Sequence, residues 1–134
     1  MRKGITLLLS LLFLLASGSS PSAAEELSLF VMNVGKADCL LLRSGDSAYL
    51  IDTGRGRTYD TVEKALADLE ITHLNGVIIT HTDSDHVGGL KKLLKSDISI
   101  DHLYTSAFYF PEDEKEEHPV LKAANKQNIT VELL

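Results

Sequence analysis

Residues 77–90 read VIITHTDSDHVGGL. A short apolar, β-branched run is followed within six positions by four side chains that bind metals well: His81, Asp83, Asp85 and His86. Two glycines and a run rich in leucine and lysine come next. This order predicts a buried strand that ends, a loop that carries ligands, and a helix over residues 87–94. The end of a strand is a rigid place from which to orient such ligands.

The loop has a simpler interpretation as a solvated turn, since Asp and Ser also cap helices well. Four metal-binding side chains directly after an apolar strand favour the metal site instead. His81 and Asp83 are two positions apart on extended backbone and therefore face the same side. Asp85 and His86 are adjacent and are expected to form a second pair as the loop turns into the helix. Two pairs predict up to two divalent ions about 4 Å apart, with an open position where water is activated.

Residues 80–89 resemble the signature loop of the metallo-β-lactamase superfamily, H-x-H-x-D-H. Asp83 stands where the common pattern has its second histidine, and this departure resembles the ComEC-like, competence-related branch, H-x-D-x-D-H-x-G-G. Two upstream stretches agree with that branch. Residues 31–42 (VMNVGKADCLLL) resemble its opening hairpin, and residues 50–54 (LIDTG) resemble its acidic motif after the third strand. The resemblance spans about residues 27–95.

The resemblance implies an αββα sandwich of two similar halves, which needs roughly twice the length of residues 25–134. We therefore expect an α/β fold that contains only the first half of the sandwich, a mixed sheet with flanking helices. Strands are predicted over residues 27–34, 39–43, 48–51, 77–80, 102–105 and 129–134. Helices are predicted over residues 60–69, 87–94 and 112–127.

The resemblance also assigns roles within the site. It makes His81, Asp83, Asp85 and His86 metal ligands and gives Asp85 the catalytic role of orienting the metal-bound water. Asp52 would orient the ligands by hydrogen bonds, although an Asx turn explains Asp52 equally well. Gly88 and Gly89 are expected to let the backbone approach the metals closely. A carboxylate at Asp83 shifts the metal preference from zinc toward manganese or magnesium, so we expect Zn or Mn.

Residues 1–24 have the pattern of a secretory signal peptide. Arg2 and Lys3 precede an apolar run over residues 5–16, and Ser22-Ala23-Ala24 offers a cleavage site. A membrane-spanning helix needs about 20 apolar residues, and the polar residues 17–20 interrupt the run before that length. We therefore expect a secreted or extracytoplasmic protein whose domain is residues 25–134, with no stable membrane span after cleavage. Retention as an uncleaved anchor is the open alternative.

Without residues 1–24 the chain keeps 11 basic and 19 acidic side chains, a formal net charge of −8. A net acidic domain is not typical of a general nucleic-acid binder. Arg55 and Arg57 follow the Asp52 motif and suit an anionic substrate, although solvated loop arginines are the simpler interpretation. Cys39 is the single cysteine, which excludes an intramolecular disulfide and predicts a small buried hydrophobe. The remaining histidines are expected at the surface: His73, His102 and His118.

These features predict a secreted metal-dependent hydrolase that acts on DNA, another phosphodiester or a small molecule. The last ligands of the family's site, two histidines and a bridging aspartate, are not recognisable between Lys91 and Leu134. We therefore expect the chain to be weakly active or inactive by itself. The alternative is a non-enzymatic exported binding module or relic that retains half of the fold. The sequence does not decide the oligomeric state.

Overall fold

The structure is a computed structural model that describes residues 26–106 and 118–134. These residues form a single sheet of six strands, β1 to β6 in chain order, with helices α1 to α3. The strands are β1 (Leu27–Val31), β2 (Leu40–Ser44), β3 (Ser47–Ile51), β4 (His73–Ile79), β5 (Ser99–Thr105) and β6 (Thr130–Leu133). The helices are α1 (Tyr59–Asp68), α2 (Leu90–Leu93) and α3 (Pro119–Asn125), and a 3-10 turn (Gly56–Thr58) precedes α1.

The sheet is mixed, as predicted. β1, β2 and β3 pair antiparallel, and β3, β4, β5 and β6 pair parallel. Between β2 and β3 the chain turns over two residues, and Gly45 there adopts a φ of 53°, which hairpin turns require. Parallel neighbours need longer crossover connections, and α1, α2 and α3 lie within those connections.

One edge of the sheet collects the segments that carry the candidate ligands. β2 runs antiparallel to β3, so the start of β2 lies at the same edge as the end of β3. β3 and β4 are parallel, so the end of β4 lies there too. Asp38 shortly precedes β2, Asp52 follows β3, and the loop of residues 80–89 follows β4. Strand order alone therefore brings three polar segments together.

The hydrophobic core lies on the side of the sheet that faces the helices. Buried and half-buried side chains alternate along β3, as expected for a sheet with one covered face. α1 buries Val62 and Leu66, which are four residues apart on one face of the helix. The strand residues that are fully buried with them include Leu41, Leu50, Val77, Ile79 and Leu103.

The opposite face of the sheet is more open. Its apolar side chains are only half-buried, and they include Leu42, Tyr49, Ile78 and Tyr104. Two apolar residues of β1, Leu29 and Val31, are 56% and 77% exposed. A mixed sheet with helices on one face confirms the predicted α/β class. One sheet with its helices is also what the first half of an αββα sandwich would contain.

Several predicted boundaries were wrong. β4 begins at His73 rather than at residue 77 because Asn75 and Gly76 continue the strand instead of forming a turn. The Asn75 side-chain oxygen accepts a hydrogen bond from the Ala48 N–H at 2.9 Å. A Cβ at Gly76 would lie 2.6 Å from the Tyr104 ring, so this strand position requires glycine.

Two further predictions need correction. The helix expected over residues 87–94 is a single turn, Leu90–Leu93. His118 is buried rather than exposed because it directly precedes α3, which packs beside β5. The predicted signal peptide and the first part of the predicted helix over residues 112–127 lie outside the described residues. Among the described residues, no helix has the length and apolar character needed to cross a membrane.

Candidate metal centre

Asp52 is the buried anchor of the site. It is 2% exposed and adopts a φ of 56°, a left-handed conformation that Asp tolerates better than most residues. Its Oδ1 accepts a hydrogen bond from the Thr80 N–H at 2.9 Å, and its Oδ2 accepts one from Thr80 Oγ1 at 2.7 Å. Oδ2 also lies 2.8 Å from Nδ1 of His86. The carboxylate therefore joins the end of β3 to the end of β4 and holds one imidazole.

The contact with Asp52 decides which nitrogen of His86 is available. An ionised carboxylate only accepts hydrogen bonds, so Nδ1 of His86 must carry a proton. In the neutral ring Nε2 is then unprotonated and can bind a metal, an arrangement common among metal-binding histidines. The orienting role expected of Asp52 agrees with this geometry.

The two imidazoles of the loop lie next to each other, with ring centroids 3.7 Å apart. Nε2 of His86 is 3.4 Å from Oδ2 of Asp38. Nε2 of His81 is 3.5 Å from Oδ2 of Asp83, and its Nδ1 is 3.1 Å from Thr80 Oγ1. Each ring thus presents Nε2 beside a carboxylate oxygen.

Asp85 lies differently from the expected pairing with His86. Its Oδ2 is 3.2 Å from a terminal nitrogen of Arg55, and both side chains are about one third exposed. The same guanidinium donates to the Lys36 carbonyl at 3.0 Å and to Ser84 Oγ at 3.4 Å. Arg55 therefore connects two loops of the site and is not a freely solvated arginine. Arg57, in contrast, is exposed.

Main-chain hydrogen bonds fix the three segments to one another. The Asp38 N–H donates to the Asp85 carbonyl at 3.2 Å, and the Gly54 N–H donates to the Asp38 carbonyl at 2.9 Å. The Thr53 N–H donates to the His86 carbonyl at 2.7 Å. The positions of the candidate ligands are thus set by the backbone, which is the preorganisation that a metal site needs.

The two glycines of the loop permit close backbone packing. A Cβ at Gly88 would lie 2.3 Å from the Ser84 carbonyl oxygen, and one at Gly89 would lie 2.3 Å from the Thr53 carbonyl oxygen. Neither position admits a side chain without a shift of the backbone. The two glycines thus let the loop pack closely against neighbouring backbone, and their expected close approach to the metals stays a prediction.

Cys39 is the small buried hydrophobe that we expected. It is 1% exposed, and its thiol lies 3.5 Å from the Met32 sulfur. Burial, and secondly the charge of Asp52, raise the pKa of the thiol to about 12. Cys39 is therefore part of the hydrophobic core rather than a candidate ligand, because its thiol is buried against Met32.

The donor chemistry fits a divalent cation. An imidazole with a fixed tautomer and adjacent carboxylate oxygens are ligands of zinc and manganese. Among the described residues, however, no three His, Cys, Asp or Glu side chains converge into a complete metal-binding group. The arrangement is two donor pairs that share one edge of the sheet: His81 with Asp83, and His86 with Asp38.

Sequence reasoning missed Asp38 and underestimated Arg55. Asp38 was placed only within the hairpin resemblance of residues 31–42 and was not named as a candidate ligand, although it lies just before β2. The antiparallel pairing of β2 with β3 places Asp38 beside the Asp52 motif. A prediction of that pairing would have been the signal to find it.

A cleft of about 310 Å³ lies between α2 and α3, away from these groups. Its floor is apolar, with Leu90, Leu94 and Ala123, and four lysines contribute to its lining. It contains no carboxylate or imidazole that could bind a cation. The chemistry of the described residues is therefore concentrated at the sheet edge.

A profile described as the Metallo-beta-lactamase superfamily matches residues 32–126 of the chain. Among curated proteins, the chain is similar to Probable metallo-hydrolase YybB of Bacillus subtilis (strain 168), with 37% identity over 54 residues. That match covers 40% of the chain and 24% of the relative.

Two solved structures also show similarity. The metallo-beta-lactamase FIM-1 from Pseudomonas aeruginosa, in its mono-zinc form, gives a TM-score of 0.48 and 15% identity, covering 84% of this chain and 51% of that one. A new diphosphatase from the PhnP family gives a TM-score of 0.43 and 20% identity, covering 72% and 36%. The chain thus spans at most about half the length of these proteins.

Proposed function

The chain belongs to the metallo-β-lactamase superfamily, and we propose that it supplies one side of the metal site of a divalent-metal-dependent hydrolase. The observation that carries this proposal is the state of His86. A buried carboxylate holds its Nδ1 at 2.8 Å, so that Nε2 faces the second imidazole and a carboxylate. A histidine in a solvated turn would need no buried partner of this kind.

Each residue of the loop has a proposed part. His81, Asp83 and His86 would hold the cation, and Asp85 would bind it or orient the attacking water. When bound, a divalent cation supplies Lewis acidity and activates water near neutral pH. Asp52 keeps the proton of His86 on Nδ1, and Arg55 fixes the carboxylate of Asp85. Zinc and manganese are the proposed metals because the donors combine imidazole with carboxylate.

The proposed substrate is a phosphodiester. Arg55 lies in the site beside Asp85, and a guanidinium matches the geometry of phosphate oxygens. The acidic balance of residues 25–134 favours a small phosphodiester over long nucleic acid. DNA remains a proposed substrate through the resemblance of residues 31–42 and 80–89 to the competence-related branch. Export through residues 1–24 is proposed on the signal-peptide pattern.

Metal binding is the direct test. Titration of the full chain with MnCl₂ and ZnCl₂ in a calorimeter is expected to give saturable binding. His86→Ala should weaken it at least about tenfold, as loss of a ligand or of its support does elsewhere. The matched control is His73→Ala. His73 lies at the end of β4 opposite to the site, and its imidazole pairs with Asp101. Absence of saturable binding, or equal affinity in His86→Ala, would contradict the proposal.

Turnover should stay near background in this chain, because two donor pairs form an open, incomplete site. The measurement is hydrolysis of bis(p-nitrophenyl) phosphate with added Zn²⁺ or Mn²⁺. A rate clearly above that of free metal, lost in His86→Ala, would show that the described half is sufficient for catalysis and would refute this expectation. Metal binding without turnover is the result that a half-site predicts.

A further inference from the structure

The histidine–carboxylate pairs of the described residues separate into two groups by distance. Three pairs have short N···O distances, and of these only His86–Asp52 at 2.8 Å is also aligned as a hydrogen bond. The other two are His102–Glu132 at 2.9 Å and His73–Asp101 at 3.1 Å. Two pairs are wider: His86–Asp38 at 3.4 Å and His81–Asp83 at 3.5 Å. The usual N–H···O range ends near 3.2 Å. Both wide pairs lie at the sheet edge that carries the site.

The wide separation matches two ligands of one cation. Tetrahedral zinc with bonds of about 2.0–2.1 Å places neighbouring donor atoms about 3.3 Å apart. In both pairs the facing atoms are Nε2 of the ring and Oδ2 of the carboxylate. A simple ion pair of an imidazolium with a carboxylate would close to about 2.7–2.9 Å.

The position of Asp38 is fixed by the fold. Its N–H donates to the carbonyl of Asp85, and its carbonyl accepts from the N–H of Gly54. Its backbone is thus held between the ligand loop and the segment after β3. The side chain itself is 63% exposed, so an ion pair with His86 would contribute little to stability.

From this geometry we infer that Asp38 is a metal-binding residue of the centre and pairs with His86 as Asp83 pairs with His81. The inference rests on the proposed function, since it adds a ligand to the same site. It gives a donor set of two imidazoles and two carboxylates within this chain. Asp85, which is held by Arg55, lies outside the two pairs.

The test compares two variants that each remove one carboxylate from a histidine pair. Asp38→Asn in the full chain is expected to raise the dissociation constant for Mn²⁺ and Zn²⁺ at least about tenfold. Asp101→Asn, the matched control, should leave it within about twofold, because Asp101 pairs with His73 at the far end of β4. The loss should persist in 1 M salt, where long-range charge effects are screened.

A second variant separates ligand geometry from charge. Asp38→Glu keeps the negative charge but displaces the carboxylate by one methylene, so weakened binding is expected of a ligand. Wild-type affinity in Asp38→Asn, with binding lost in His86→Ala, would overturn this inference and leave the proposed function standing. Absence of binding in the unmodified chain would overturn both. Thermal unfolding of each variant checks that the fold is retained.

Discussion

Replacing Asp52 with asparagine should lower the affinity for divalent metal by about 10- to 100-fold, the usual effect of losing a partner that orients a ligand. Asn has nearly the same shape as Asp and also tolerates the left-handed φ of 56°. Its carbonyl oxygen can still accept from the Thr80 N–H. Its amide group, however, donates toward His86, so the ring must accept at Nδ1 and carry its proton on Nε2. A protonated Nε2 cannot bind a metal.

The same substitution should also reduce stability. Asp52 accepts two hydrogen bonds from Thr80 and one from His86 while 2% exposed. Mispairing one buried group costs about 1–3 kcal/mol. Asp52→Ala leaves the donors of Thr80 and His86 without their acceptor, and each buried donor left unpaired costs about 1–3 kcal/mol, so the alanine variant should lose more stability than the asparagine variant. A larger loss of unfolding free energy in Asp52→Ala than in Asp52→Asn is the result expected if the hydrogen bonds of Asp52 stabilise the fold.

Three measurements separate these effects. Urea unfolding without metal gives the free energy of unfolding, calorimetry gives the metal affinity, and ¹⁵N chemical shifts of the His86 ring report its tautomer. The expected result is a tautomer change together with the loss of affinity. Unchanged metal affinity in Asp52→Asn, with the fold retained, would mean that Asp52 is only structural. His73→Ala, remote from this edge, serves as the control for general effects on stability.

The fold was largely predictable because local patterns determine it. The turn at Gly45 and the spacing of Val62 and Leu66 were sufficient to place a hairpin and the first crossover helix. The boundaries of β4 were not predictable, since Asn75 and Gly76 are common turn residues. Their place in the strand depends on a side-chain hydrogen bond to Ala48 and on space for the Tyr104 ring. Both are tertiary contacts that override local propensity.

The candidate site was predictable where its residues lie close together in the sequence. His81, Asp83 and His86 come from one loop, and the first two are paired as their spacing required. The partners of the other residues come from distant segments. Asp38 reaches His86, and Arg55 reaches Asp85, across separations of 48 and 30 residues that only the strand order closes. Sequence spacing therefore indicated the chemistry, while the pairing of the donors depended on the sheet.

Above pH 9 the folded chain is expected to lose stability steeply. Burial, with a smaller contribution from Asp52, raises the pKa of Cys39 from 9.0 to about 12. Burial, with smaller opposing and reinforcing effects from Ser96 and Glu63, raises the pKa of Tyr59 from 10.0 to about 12. Both groups are neutral when protonated, so the unfolded chain releases these protons first as the pH rises. The contribution of these two groups to stability is therefore fully present below pH 9 and is lost between pH 9 and pH 12.

The size of this loss follows from the same linkage. Each pH unit costs about 1.4 kcal/mol per group, which gives about 4 kcal/mol for Cys39 by pH 12. Tyr59 adds to the slope above pH 10. The free energy of unfolding of a domain of this size is about 5–15 kcal/mol. The two ionisations together should therefore bring the chain close to unfolding near pH 12.

Urea unfolding at intervals from pH 7.5 to 11 tests this expectation. Cys39→Ala removes the first ionisation and should flatten the plot of unfolding free energy against pH between pH 9 and pH 10. The loss of the buried sulfur should also lower the free energy of unfolding by the same amount at every pH. Tyr59→Phe keeps the ring volume and should flatten it above pH 10. Met32→Leu perturbs the neighbour of the thiol without removing a titrating group, so its curve should run parallel to that of the unmodified chain. If the curve of Cys39→Ala also runs parallel to that of the unmodified chain, the buried thiol does not control alkaline stability, and the loss comes from Tyr59 or from surface charge repulsion instead.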